Sequence, residues 1–135
     1  MQNEDLNMEN FIFKKHTNSY SFTDQNGKTI SKLKFYDYKL KNFDWVLIAD
    51  VETDPEYRGQ GLASKLLNTI YSDITSRYPN KGLYLFVRPD NHTAIKLYKK
   101  LGFMKVKDYK LESGKFIIMC KGDADKRQFD KMKFA

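Results

Sequence analysis

The 135-residue chain has a single cysteine, Cys120, so no intramolecular disulfide framework can hold it together, and a reducing compartment suits it. It lies at the end of the apolar run Phe116-Ile117-Ile118-Met119 and reads as a strand residue rather than a nucleophile. No apolar run approaches the roughly 20 residues that cross a bilayer, and the acidic, polar N-terminus does not read as a signal peptide. A cytoplasmic protein without membrane contact is therefore expected. The net charge of +7 is not gathered into a block of Lys or Arg. It reads as a solvated basic surface that attracts anionic ligands, and nucleic acid is not an expected partner. Internal repeats and low-complexity linkers are lacking, and no metal site is expected. Against these absences stand a length suited to one domain with a real core, plentiful Phe and Tyr, and interspersed charges, which together describe a folded globular domain.

Residues 1 to 9 are polar and are expected to fray. Phe11-Ile12-Phe13 opens a strand. Tyr20 and Phe22 alternate with polar residues, Asp24-Gln25-Asn26-Gly27 supplies a turn, and a strand pattern resumes from Thr29 to Tyr38; together these form a hairpin signal. Trp45 to Ala49 is almost continuously apolar and reads as a central strand running on to Thr53. Leu62, Leu66, Leu67, Ile70, Tyr71 and Ile74 then recur at helical spacing, and Pro79 ends that helix after Tyr78. Leu83 to Val87 is a second buried strand. A shorter helix runs from Asn91 to Leu101 with Gly102 closing it. Phe103–Leu111 and Lys115–Lys121 form a closing strand pair, and residues 122–135 read as a short helix or a loose tail. The order predicts one mixed α/β (α+β) domain over residues 10–121.

The junction Tyr57-Arg58-Gly59-Gln60-Gly61-Leu62-Ala63 joins the central strand to the long helix. A helix start carries N–H groups without intrahelical partners and the positive end of the helix dipole. Gly59 and Gly61 would let a phosphate approach those groups closely, and Arg58 adds a charged donor. Glu56 and Tyr57 read as residues that shape the loop. A second pattern follows in Asn91-His92-Thr93-Ala94 through Tyr98 to Leu101-Gly102-Phe103. Asn91 and Tyr98 are close to two helical turns apart and share a face.

Taken together, Arg58-x-x-Gly61-x-Ala63 and Asn91-x-x-Ala94-x-x-x-Tyr98 with Leu101-Gly102-Phe103 resemble the GNAT superfamily of acetyl-CoA-dependent N-acetyltransferases. The resemblance is well supported from Phe43 to Phe103. It implies a mixed, mostly antiparallel sheet with a splayed central parallel strand pair and flanking helices. It also implies acetyl-CoA as co-substrate and a primary amine of a small molecule, peptide or protein as acceptor. The pantetheine arm would bond the backbone of Val51 and Thr53, and the diphosphate would sit on N–H groups of Gly59, Gln60, Gly61, Leu62, Ala63 and Ser64 beside Arg58. Asn91 and Ala94 would lie along the cofactor, and Tyr98 would reach the thioester sulfur.

Direct acetyl transfer poses two proton problems. Freeing the lone pair of a lysine-like amine at pH 7 costs about 4–5 kcal/mol, and the departing thiolate needs a proton. Tyr98, neutral and a donor at pH 7, suits the second task as general acid; a core tyrosine is its structural alternative. For the base, relatives place a Glu on one of the two central strands, where Leu47 and Phe86 align. Asp50 and Glu52 are the nearby carboxylates, but strand alternation turns both away from the face of Leu47 unless a bulge intervenes. His92 and a water chain stay open as alternatives, as does a plain N-cap role for Asn91.

Relatives also insert two helices between the first strand and the hairpin, whereas His16-Thr17-Asn18-Ser19 alone separates Phe13 from Tyr20 here. Both helices should be missing, leaving the acceptor cleft open, or covered by the C-terminal segment or by a second copy in a homodimer. The competing functional class is a non-catalytic acyl-CoA-binding or interaction module.

Overall fold

A computed structural model of the chain describes residues 10–132; the expectation of a frayed segment over residues 1–9 lies outside them. Seven strands form one mixed sheet in the order β1-β2-β3-β4-β5-β7-β6. They are β1 (Ile12–Lys15), β2 (Ser19–Thr23), β3 (Thr29–Tyr36), β4 (Trp45–Thr53), β5 (Gly82–Val87), β6 (Met104–Leu111) and β7 (Gly114–Lys121). Two α-helices, α1 (Leu62–Arg77) and α2 (His92–Lys100), complete the regular structure, with 3-10 turns at Pro55–Tyr57 and Lys126–Lys131. β4 and β5 pair in parallel, whereas β1 with β2, β2 with β3, β5 with β7 and β6 with β7 are antiparallel. The expected mixed α/β domain is thus the observed one. Only residues 16–18 separate β1 from β2, and no helix lies between them.

Two compact units share the chain. The first comprises residues 10–36 and 48–70. Its hairpin is set by Asp24, whose Oδ1 accepts from the N–H groups of Asn26 and Lys28, both at 2.9 Å. Tyr20, Phe22, Leu33, Ile48, Leu66 and Ile70 are buried, so the alternation of the strands and the 3.6-residue period of α1 supply one apolar core.

The second unit comprises residues 37–47 and 71–132. In its parallel ladder Trp45 faces Gly82, Val46 faces Leu83 and Leu47 faces Tyr84. A side chain at residue 82 would collide with the Trp45 ring, which explains the glycine that opens β5. The segment after β7 turns back into the core. Phe129 is fully buried, with ring centroids 4.9 Å from Trp45, 5.4 Å from Tyr84 and 5.9 Å from Phe43. Trp45 Nε1 donates to the Asp125 carbonyl at 3.0 Å, and the Gln128 amide both accepts from Asp44 N and donates to its carboxylate. Burying a phenylalanine in this way contributes about 2–3 kcal/mol. The described part of this segment holds the 3-10 turn at Lys126–Lys131. A half-buried ion pair, Lys81 Nζ to Asp37 Oδ2 at 2.6 Å, closes the loop before β4 onto the one before β5.

Candidate functional site

In the first unit, Asp54-Pro55 ends β4 and starts a 3-10 turn. Asp54 caps that turn, its carboxylate accepting from Glu56 N–H at 3.0 Å and pairing with Lys28 at 3.0 Å. The Glu56 N–H, and after it Lys28, hold the Asp54 carboxyl below its ordinary value. Arg58 Nε donates to the Thr53 carbonyl at 3.1 Å. That bond lays the arginine back along the strand and leaves its terminal N–H groups for another acceptor. Gly59 and Gly61 take left-handed φ values of 81° and 79°, a conformation costly for other residues. A Cβ at Gly59 would meet nothing within 4 Å; the turn is open where a ligand would come close. α1 then begins at Leu62, and no side chain among the described residues accepts from the N–H groups of Leu62, Ala63 or Ser64. The Leu62 side chain is buried, so only its backbone can serve a ligand. Val51 and Thr53 are half-buried on β4. Thr53 Oγ1 is 2.8 Å from Ser31 Oγ, and Ser31 also donates to the Glu52 carbonyl at 3.2 Å.

Asp50 has a left-handed φ of 53° inside β4. A left-handed residue inside a strand is uncommon for any residue but glycine, and aspartate is among those that tolerate it best. Both carboxylates are exposed and ion-paired, Asp50 with Lys34 at 3.8 Å and Glu52 with Lys32 at 3.4 Å. Exposed pairs of this kind add little stability.

In the second unit, Asn91 is the N-cap of α2; its Oδ1 accepts from Ala94 N–H at 3.1 Å. Its side-chain NH2 group keeps its donors. The Ala94 N–H is thereby engaged, which limits Ala94 to van der Waals contact with any ligand. His92 is exposed. Tyr98 is half-buried, its ring 5.8 Å from that of Phe103. Burial raises its pKa above the ordinary tyrosine value, and its hydroxyl makes no hydrogen bond among the described residues. It is a neutral donor at pH 7 with its proton unspent. Cys120 is buried in β7, and burial raises its thiol pKa, which leaves it inert. Leu47 and Phe86 pack against the Trp45–Tyr84 cluster. Sequence reasoning missed the Asp54 cap and the Asp50 kink. The Asp-Pro dipeptide signals the first, and nothing in the local sequence signals the second.

A turn of left-handed glycines opening α1, and a capped α2 carrying the half-buried Tyr98, are the two features a family assignment must explain. The model of the acetyltransferase (GNAT) family matches residues 2–103. The chain belongs to this family. An N-alpha-acetyltransferase of Saccharolobus solfataricus is 44% identical over 52 residues, covering 38% of this chain and 31% of that protein. A spermine/spermidine N(1)-acetyltransferase of Bacillus subtilis is 36% identical over 50 residues, covering 37% and 33%. The chain thus matches about a third of the length of these curated relatives. Among solved structures, Arabidopsis thaliana Naa50 in complex with a bisubstrate analogue, CoA-Ac-MVNAL, superposes with a TM-score of 0.66 at 25% identity, covering 77% of this chain and 72% of that one. Among the described residues no group of His, Cys, Asp and Glu could hold a metal ion, and no helix is long and apolar enough to cross a membrane.

Proposed function

We propose that the chain is an acetyl-CoA-dependent N-acetyltransferase that moves an acetyl group directly to a primary amine of a small molecule, peptide or protein. The observation that carries this reading is the start of α1. A GNAT-family chain keeps its two glycines left-handed, and among the described residues no side chain accepts from the next three N–H groups, beside an arginine with spare donors. Such a helix start holds a diphosphate through backbone N–H groups and the helix dipole. Residues Gly59 to Ser64 and Arg58 would hold the diphosphate of acetyl-CoA, and backbone groups of Val51 and Thr53 the pantetheine. The Asn91 amide would bond the same arm, with Ala94 packed beside it. Acetyl-CoA supplies an activated thioester. The amine lone pair attacks its carbonyl carbon, the carbon–sulfur bond breaks, and the Tyr98 hydroxyl gives its proton to the departing sulfur.

The amine loses its own proton to water, or to Asp50 or Glu52, which stand in β4 near the pantetheine residues. The pH profiles of Asp50→Asn and Glu52→Gln decide between them, since only a true base shifts the acidic limb when removed. We place the protein in the cytoplasm, where Cys120 stays reduced. We assign the chemistry to residues 10–121.

Leu47 and Phe86, where relatives carry a Glu, favour a second reading, a binding module without transfer. Calorimetry with acetyl-CoA followed by thiol release across a panel of amines separates the two. Uptake with acceptor-dependent thiol release supports the transferase, uptake alone supports the module, and no uptake at millimolar concentration removes both.

A further inference from the structure

A lysine that loses part of its exposure needs something to offset the water its ammonium gives up. Lys32, Lys34, Lys81, Lys107 and Lys121 are all half-buried. Lys32, Lys34 and Lys81 pair with Glu52, Asp50 and Asp37, and Lys107 Nζ donates to the Phe129 carbonyl at 3.3 Å. Lys121 differs. It stands at the end of β7, opposite Leu83 of β5, and among the described residues neither a carboxylate nor a carbonyl takes its amine. Its Nζ lies over the Tyr71 ring at 4.4 Å from the centroid, so the ring quadrupole alone attracts the ammonium. The stem runs beside Gly102, just past the C-cap of α2: a Cβ there would meet Lys121 Cε at 3.3 Å and Nζ at 3.6 Å. Gly102 is itself exposed, and its lack of a side chain leaves that flank of the amine open to a reagent. Burial pushes the Lys121 pKa below the ordinary lysine value, because burial disfavours the charged form.

We propose that Lys121 is a modification site, at which the chain is itself acylated by direct reaction with a thioester, without the help of Tyr98. The neutral Nζ attacks the thioester carbonyl carbon. A carbon–nitrogen bond forms, the carbon–sulfur bond breaks with its electron pair leaving on sulfur, and the surplus proton on nitrogen passes to water. Partial desolvation favours the neutral amine that this step needs. The amide so formed keeps the stem beside Gly102 and has no charge to desolvate, at the loss of the cation–π contact. Lys96, Lys99 and Lys100 are exposed on α2, where water solvates the ammonium form, and react more slowly. The reaction needs no transferase activity.

Two reagents test this on the full chain at mildly alkaline pH: acetyl-CoA, and S-acetyl-N-acetylcysteamine, a thioester without a nucleotide. At limiting reagent, peptide mass spectrometry should find Lys121 acetylated about threefold or more ahead of Lys96, Lys99 and Lys100 with either one. The lead should persist in Tyr98→Phe and vanish in concentrated urea, where every lysine is solvated alike. Lys121→Arg should remove that one acetyl group and leave labelling elsewhere unchanged. Labelling of Lys121 level with or behind the three α2 lysines overturns the proposal, as does a lead that survives urea. A lead confined to acetyl-CoA and lost in Tyr98→Phe makes Lys121 a substrate of the active site, and the direct reaction is then wrong.

Discussion

At the start of α2, Asn91 Oδ1 takes the Ala94 N–H at 3.1 Å, whereas α1 starts after two left-handed glycines and no side chain among the described residues accepts from its first N–H groups. A capped helix start is worth about 1 kcal/mol to the fold. An uncapped one forgoes that stability and keeps its donors for something else. The chain makes both kinds within forty residues, so the open start of α1 is no general weakness of its helix signals. The capped start belongs to the helix that carries Tyr98, and the open start follows the glycine turn.

Several substitutions would break or sharpen that contrast. Tyr98→Phe removes the proton from the rigid platform without touching the cap. We expect kcat to fall about a hundredfold or more with the KM for acetyl-CoA nearly unchanged, as steady-state kinetics would show. An unchanged kcat would remove Tyr98 from the proposed mechanism. Gly61→Val forces a β-branched residue into the left-handed turn, at φ 79°. The Kd for acetyl-CoA should rise about thirtyfold by calorimetry, with the fold retained. Arg58→Ala removes one charged donor and leaves the N–H groups, so affinity should drop about tenfold, and the difference should shrink with added salt. Asn91→Ala deletes the cap and should cost about 1 kcal/mol, a loss of a few degrees in Tm. If it instead costs more affinity than Gly61→Val, the contrast between the two starts is wrong.

A control away from both helices is the pair Lys81–Asp37. Burial alone would raise the Asp37 pKa, but the hydrogen bond from Lys81, the Lys39 N–H and the charges of both lysines outweigh it and hold the carboxyl below its ordinary value of 3.8. A carboxyl depressed in the folded state stabilises the protein above its unfolded pKa. That contribution fades as pH falls through the folded value. Lys81→Met should lower stability by about 1 kcal/mol at pH 7 and progressively less below pH 4, as urea melts at several pH values would record. It should leave acetyl-CoA binding alone.

The elements that were legible beforehand are those whose signal is local. The β4 span from Trp45 to Thr53 and the α1 span from Leu62 agree with the apolar run and the helical period, because both are set by neighbours in sequence. The same holds for the glycine turn, whose positive φ values follow from residues that alone adopt them cheaply. β3 ends at Tyr36 rather than Tyr38. There the chain turns to bring Asp37 to Lys81, a partner 44 residues away that no local pattern shows. The Asp50 kink is of the same kind. Aspartate tolerates a left-handed backbone, but alternation of the flanking residues gives no reason to expect one inside a strand.

The sequence by itself determined the two motifs, the order of strands and helices, and the family, since each is written in spacings of a few residues. Only the tertiary structure decided that Phe129 comes back to seal Trp45 and Tyr84, that Phe86 stacks on Tyr109 and Phe116, and that Arg88 lies over the Phe116 ring. Those contacts join residues tens of positions apart through strand pairing, and pairing partners are fixed by how the whole sheet buries its apolar faces rather than by any one segment.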